Sequence, residues 1–103
     1  MDIIKALELS KTLAVEAGKA IMEIYNNDFY VEYKDNSSPL TKADKTANGI
    51  ILDGLKNVFI DSNVAYLSEE EKDDKSRMDK DYCFIIDPLD GTKEFVKKNG
   101  EFT

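Results

Sequence analysis

Two acidic runs carry most of the chemistry this sequence could perform. Asp87-Pro88-Leu89-Asp90-Gly91-Thr92 directly follows the apolar run Tyr82-Cys83-Phe84-Ile85-Ile86. If that run is a buried strand, both carboxylates sit at its carboxyl end, where open α/β layers place their reacting groups. Pro88 restricts its own φ and keeps Asp87 extended, while Gly91 permits a tight bend. Such a turn can aim Asp87, the Leu89 carbonyl and Asp90 into one small volume. Oxygen-only donors on a rigid turn suit Mg²⁺, which keeps waters that a phosphate can replace. The second run, Ser68-Glu69-Glu70, also follows a short apolar segment. If its strand neighbours residues 82–86, Glu69 lands beside Asp87 and a two-metal site becomes possible. A third element, Thr41 to Asp44, opens an apolar-periodic stretch.

Taken singly, each element has an ordinary explanation. Asp-Pro and Asp-Gly are common turn dipeptides, and a run of glutamates is commonly a solvated loop. Asp44 near a helix start is accounted for by capping and the helix dipole. Lys93, Lys97 and Lys98 read equally well as a phosphate-facing basic cluster or as a solvated helical turn. The ordered combination is what points to catalysis.

Composition narrows the options. The chain has 103 residues, with 21 acidic against 14 basic groups, a net charge of −7 and no histidine. Like-charge repulsion argues against a nucleic-acid polymer as the main partner. Without histidine, the chemistry must run on carboxylates, hydroxyls, backbone groups and hard cations. The single cysteine, Cys83, cannot form an internal disulfide, which points to the reducing cytoplasm. No run approaches the roughly 20 apolar residues of a membrane span.

The positioning elements follow from periodicity. Residues 2–26 predict an amphipathic helix with Ile3, Leu7, Ala14, Gly18, Ile21 and Tyr25 on its apolar side. Phe29, Val31 and Tyr33 alternate as in a strand, and Asp35 to Pro39 is turn chemistry. A second helix is expected from about Thr41, with Thr41–Asp44 as a capping box and Ala47, Ile50, Ile51, Leu55 and Val58 inward. Val64 to Leu67 predicts a short strand, and 71–81 a charged, solvated excursion. Residues 82–86 predict a central strand buried on both faces, with Cys83 in the core. Glu101-Phe102-Thr103 reads as the opening of another strand. The sequence is therefore expected to be the truncated N-terminal half of a longer domain.

With these residues in hand, the sequence resembles the inositol monophosphatase superfamily. Asp87-Pro88-Leu89-Asp90-Gly91-Thr92 matches its Asp-Pro-(Ile/Leu)-Asp-Gly-Thr signature, Leu67-Ser68-Glu69-Glu70 its upstream acidic element, and Pro39-Leu40-Thr41-Lys42-Ala43-Asp44 its Thr-x-x-Asp. Gly91-Thr92-Lys93-Glu94-Phe95 with Asn99 to Thr103 is similar to the bacterial 3'(2'),5'-bisphosphate nucleotidase (CysQ-type) branch. The resemblance spans essentially the whole chain. It implies an α/β fold, the N-terminal part of a layered α-β-α-β-α sandwich, of which residues 1–103 supply the first helical pair and part of the first sheet.

The resemblance also implies an activity: Mg²⁺-dependent hydrolysis of the 3'-phosphate of adenosine 3',5'-bisphosphate, giving AMP and phosphate. Glu69, Asp87 and the Leu89 carbonyl would hold one Mg²⁺, and Asp87 and Asp90 a second. Thr92, hydrogen-bonded toward Asp44, would orient and deprotonate the attacking water, with Glu70 assisting. Glu69, Leu89, Asp90, Gly91 and Thr92 would line the substrate site, the Gly91 and Thr92 amides meeting phosphate oxygens. Inhibition by Li⁺ is implied as well. The family's further metal-binding Asp and most of its substrate pocket lie in a C-terminal half that is absent here. Inositol monophosphatase or fructose-1,6-bisphosphatase activity is the enzymatic alternative, and a silent cation-binding fragment the non-enzymatic one. The expected partner is a small phosphorylated nucleotide. Homo-oligomerisation, pairing with the missing half and peripheral membrane association stay open.

Overall fold

The computed structural model of the protein describes residues 1–27, 39–60 and 63–103. Helix α1 runs Ile3–Asn27 and α2 runs Pro39–Val58. Strand β1, Val64–Ser68, is followed by a 3₁₀ turn at Ser76–Asp79, strand β2 at Tyr82–Ile86, and a short helix α3 at Thr92–Lys97. The strand expected over 29–34 and the turn residues 35–38 lie outside the described residues.

Asp2 caps α1. Its side chain accepts the Lys5 N–H at 3.1 Å and its carbonyl accepts the Ala6 N–H at 3.0 Å. Helix α2 starts two residues before the expected Thr41, with Pro39 as its first residue. Proline has no N–H to leave unpaired and a φ already suited to a first helical turn. Thr41–Asp44 is therefore inside the helix, and the expected capping box is not one.

The two long helices pack against each other and present a shared face to the sheet. Ala6 and Leu13 of α1, Leu52 and Leu55 of α2, Phe59 and Ile86 of β2 form one buried cluster, with Tyr66 and Phe84 against it. A second cluster joins Ala17, Ile21 and Ile24 of α1 and Ala43 and Ala47 of α2 to Leu89 and Phe95. The first cluster ties the helices to the strands. The second ties them to the segment that follows β2, where the acids lie.

The face of α1 that packs is Ala6, Leu13, Ala17, Ile21 and Ile24, with Tyr25 against it, so the expected stripe holds at Ile21 and Tyr25 and fails at Ile3, Leu7 and Ala14. Ile3 and Leu7 are each 58% exposed. Apolar residues surround most of this helix, so the choice of face falls to the partner. A side chain at Gly54 would collide with Leu13, so the bare glycine lets α2 approach α1 there. The glycine that weakens α2 as a helix is what seats Leu13.

β1 and β2 pair in parallel, Val64 with Tyr82 through Ser68 with Ile86. Residues 69–81 make the crossover that parallel neighbours need, and they are mostly exposed as expected. Arg77 Nε donates to Asp73 Oδ2 at 3.1 Å and fastens this excursion to itself. The reading of β2 as buried on both faces is corrected. Ile86 is 8% exposed but Ile85 is 79% exposed, and Cys83 is exposed rather than core. Side chains alternate across a strand, and among the described residues only one face of this sheet is covered by helices. No helix among the described residues is long and apolar enough to cross a membrane.

Candidate functional site

Parallel pairing brings the two acidic runs together. Beyond the last paired residues, Ser68 and Ile86, the Glu69 N–H still donates to the Ile86 carbonyl at 3.0 Å. Glu69 and Asp87 thus leave neighbouring strands side by side at their carboxyl ends. Close approach to the Asp87 carboxyl, first as a hydrogen-bonding partner for a proton and then as a like charge, holds the Glu69 carboxyl above its ordinary value. Some loss of hydration and the charges of Glu70 and Asp90 push it the same way.

Asp44 reaches this group from α2. It is 8% exposed, and burial followed by the charges of Glu70, Asp87 and Glu69 raises its pKa to about 6. A carboxylate this buried is stable only with a proton or a cation beside it. Asp44 sits in the second turn of α2, so its place is not explained by a helix start.

The turn after β2 is anchored from its buried side. Pro88 and Leu89 are buried, with Leu89 at 3%, while Asp87 and Asp90 on either side of them are exposed. Residues 99–103 brace the same turn. The Asp90 N–H donates to the Thr103 carbonyl at 2.6 Å, and the Thr103 N–H returns to the Asp90 carbonyl at 3.0 Å. The strand expected to open at Glu101 is represented by this exchange alone. Behind it, the rings of Tyr25, Phe95 and Phe102 meet at 4.8 to 5.3 Å between centroids.

Gly91 immediately precedes α3 with φ of 86°, in the left-handed region. A Cβ there would lie 3.1 Å from the Glu101 carbonyl oxygen and 3.2 Å from the Phe102 Cα. Gly91→Ala is expected to lower stability by about 1–2 kcal/mol, from the backbone conformation alone, with the Glu101 contact adding to it. Urea denaturation checks this, and an unchanged midpoint would contradict the bracing described here.

The structure therefore groups Glu69, Glu70, Asp87 and Asp44, with Asp90 within electrostatic reach of Glu69. Leu89 lies in the anchored turn. Thr92 opens α3 and is exposed, and no hydrogen bond joins it to Asp44 among the described residues. No set of three or more His, Cys, Asp or Glu groups closes into a metal-holding cluster among the described residues. What closes is the Glu69–Asp87 pair. Two crowded carboxylates at exposed strand ends are a donor set that fits a hard divalent cation, whose other positions are commonly filled by water.

The sequence reading missed one participant. Asn48 accepts a hydrogen bond from Ser68 Oγ at 2.5 Å and donates to Glu71 Oε2 at 2.8 Å. It lies one helical turn after Asp44 and so shares its face, a spacing visible in the sequence.

Comparison with known proteins agrees with the fold. A profile of the inositol monophosphatase family matches residues 3–103. The 3'(2'),5'-bisphosphate nucleotidase CysQ of Salmonella typhimurium is 44% identical over 100 residues, covering 94% of this chain and 40% of that protein. The same-named protein of Escherichia coli K12 is 45% identical over 94 residues, covering 88% and 37%. The crystal structure of CysQ from Bacteroides thetaiotaomicron, a bacterial member of the inositol monophosphatase family, superposes with a TM-score of 0.80 at 39% identity. It covers 96% of this chain and 35% of its own. The chain thus spans about two fifths of the length of the curated relatives it matches. The paired acidic strand ends, the braced turn and the near-complete match leave one assignment: this chain belongs to the inositol monophosphatase family.

Proposed function

We propose that these residues form the cation-binding, phosphate-facing part of a phosphomonoesterase that removes the 3'-phosphate of adenosine 3',5'-bisphosphate. The observation that carries this reading is the meeting of Glu69 and Asp87 at adjacent parallel strand ends, joined by the Glu69 N–H to the Ile86 carbonyl, with buried Asp44 in their field. The substrate follows the relatives named 3'(2'),5'-bisphosphate nucleotidase.

Glu69, Asp87, Asp90 and the Leu89 carbonyl would hold Mg²⁺. When bound, Mg²⁺ supplies neutralisation of phosphate charge and a lowered pKa for the attacking water. Water adds to phosphorus, the bond from phosphorus to the ribose 3'-oxygen breaks, and AMP and phosphate leave. The first amides of α3 have no partner within the helix. They suit the phosphate oxygens, as the Gly91–Thr92 assignment requires. Thr92 orients the water, and Asp44, a buried carboxylate facing the site, accepts its proton. Glu70 assists through its charge beside Asp44.

The test joins this chain to the C-terminal remainder of the Salmonella relative and measures phosphate release from adenosine 3',5'-bisphosphate. Release that rises with Mg²⁺, stops with a chelator and exceeds release from inositol 1-phosphate is expected. Release unaffected by chelation would defeat the cation assignment. Preference for inositol 1-phosphate would move the substrate to the other enzymatic reading.

A further inference from the structure

Glu69 and Glu70 are the two central residues of a turn that Asn48 holds at both ends. The turn closes on itself through the Glu71 N–H, which donates to the Ser68 carbonyl at 3.1 Å. Ser68 is 4% exposed, and its hydroxyl accepts the Glu70 N–H at 3.2 Å while donating to Asn48 Oδ1. The other end of the Asn48 carboxamide donates to the Glu71 carboxylate at 2.8 Å. One side chain thus spans the turn from its first residue to its last.

This use of both ends selects for asparagine. The position needs an acceptor for a hydroxyl and a donor for a carboxylate, a few ångströms apart. Aspartate keeps the acceptor, loses the donor and sets a second negative charge against Glu71. Alanine loses both bonds. Glutamine has the right groups on a longer stem.

The clamp comes from the same helix face as Asp44. Helix α2 therefore brings the buried acid and the device holding the opposing acids in one rigid piece. The charges that act on Glu69 are negative, those of Asp87, Glu70 and Asp90, and Glu70 in turn acts on Asp44. Repulsion alone would swing this turn outward. The ladder bond from Glu69 and the Asn48 clamp oppose that swing.

We propose that Asn48 is a positioning residue, whose carboxamide clamps the Ser68–Glu71 turn so that Glu69 and Glu70 stay directed at Asp87 and Asp44, and thereby sets the affinity of the site for a divalent cation. The inference rests on the phosphatase reading for its purpose and on the clamp geometry for its content. Partners that orient a metal's ligands from behind are commonly worth 10–100-fold in affinity.

The experiment titrates the fusion of this chain with the Salmonella remainder with Mn²⁺, counting free Mn²⁺ by electron paramagnetic resonance, with melting temperature measured on each protein. Asn48→Ala and Asn48→Asp are expected to weaken Mn²⁺ binding about 10–100-fold. Asn63→Ala removes an asparagine–carboxylate bond of 2.9 Å to Asp81, away from the acids, and is the control for generic loss of stability. It should leave Mn²⁺ affinity within about twofold. Ser68→Ala should weaken binding and Ser68→Thr, which keeps the hydroxyl, should restore it. If Asn48→Ala does not fold, that serine pair carries the comparison.

Asn48→Ala or Ser68→Ala binding Mn²⁺ like the unaltered fusion, while Glu69→Gln loses it, overturns the positioning role and leaves the cation site standing. Glu69→Gln binding normally, or an unaltered fusion that binds no Mn²⁺, defeats the cation site and the clamp's purpose together.

Discussion

Asp87→Asn should remove nearly all phosphatase activity from the fusion with the Salmonella remainder, while leaving the chain folded. Asp87 is the residue that both acidic runs share: it closely approaches Glu69, repels Asp44 and begins the braced turn. It is exposed, so asparagine fits without repacking. A cation polarising a phosphoryl oxygen is worth several kcal/mol. At about 1.4 kcal/mol for each tenfold in rate, the loss is on the order of a thousandfold or more. Glu69→Gln should fall in the same direction by less, because under the proposed reading Asp87 would serve both cations and Glu69 one. Removing one of several crowded carboxylates should also leave the melting temperature of the cation-free chain unchanged or higher. Near-normal turnover by Asp87→Asn at ordinary Mg²⁺ would withdraw Asp87 from the site.

The acids could be read from sequence because their placement is local. Asp87 to Thr92 needs only a strand, a proline and a glycine in order, and all three behave as their chemistry dictates. Glu69 needed one further condition, that β1 and β2 be neighbours, and the parallel register supplies it. Three features depended on what lies across from them, and the sequence misjudged these. Residues 82–86 form a continuous apolar run, which reads as two-sided burial, but exposure of Ile85 and Cys83 follows from which layers cover the sheet. The face of α1 was ambiguous because Ile3, Leu7, Leu13 and Ile24 are all apolar, and Gly54 on α2 decides where Leu13 goes. Asn48 was legible as a neighbour of Asp44, but its partners Ser68 and Glu71 are remote in sequence. The Thr41–Asp44 run was misassigned by two residues, and the error mattered, since it made a helix-start explanation of Asp44 look sufficient.

That correction sharpens the prediction for Asp44→Asn. A helix-capping acid is replaced by asparagine at little cost, because both residues cap well. Asp44 is instead inside α2, nearly buried, and faced by Glu70, Asp87 and Glu69. Its pKa is raised from 3.8 to about 6, so the folded chain holds this proton more tightly than the unfolded chain does. The stability contributed by the proton is complete below about pH 4 and is lost as the pH rises through about 6. Above that range the charged form burdens the fold by at most about 3 kcal/mol, since each tenfold gain in proton affinity on folding is worth roughly 1.4 kcal/mol. Asparagine carries no such charge. In buffer free of divalent cations, Asp44→Asn should therefore melt higher than the unaltered chain near pH 7 and alike near pH 4. Activity of the fusion should move oppositely, falling on the order of 10²–10⁴-fold, the usual range for loss of a general base. Thr92→Val should lose activity similarly but leave the pH dependence of melting intact, because Thr92 is exposed and is not among the groups that raise the Asp44 pKa. A mutant that is more stable and less active is the signature of a carboxylate kept for chemistry at the expense of the fold. If Asp44→Asn melts lower at neutral pH and turns over normally, the residue serves α2 alone, and the proton acceptor must be sought elsewhere.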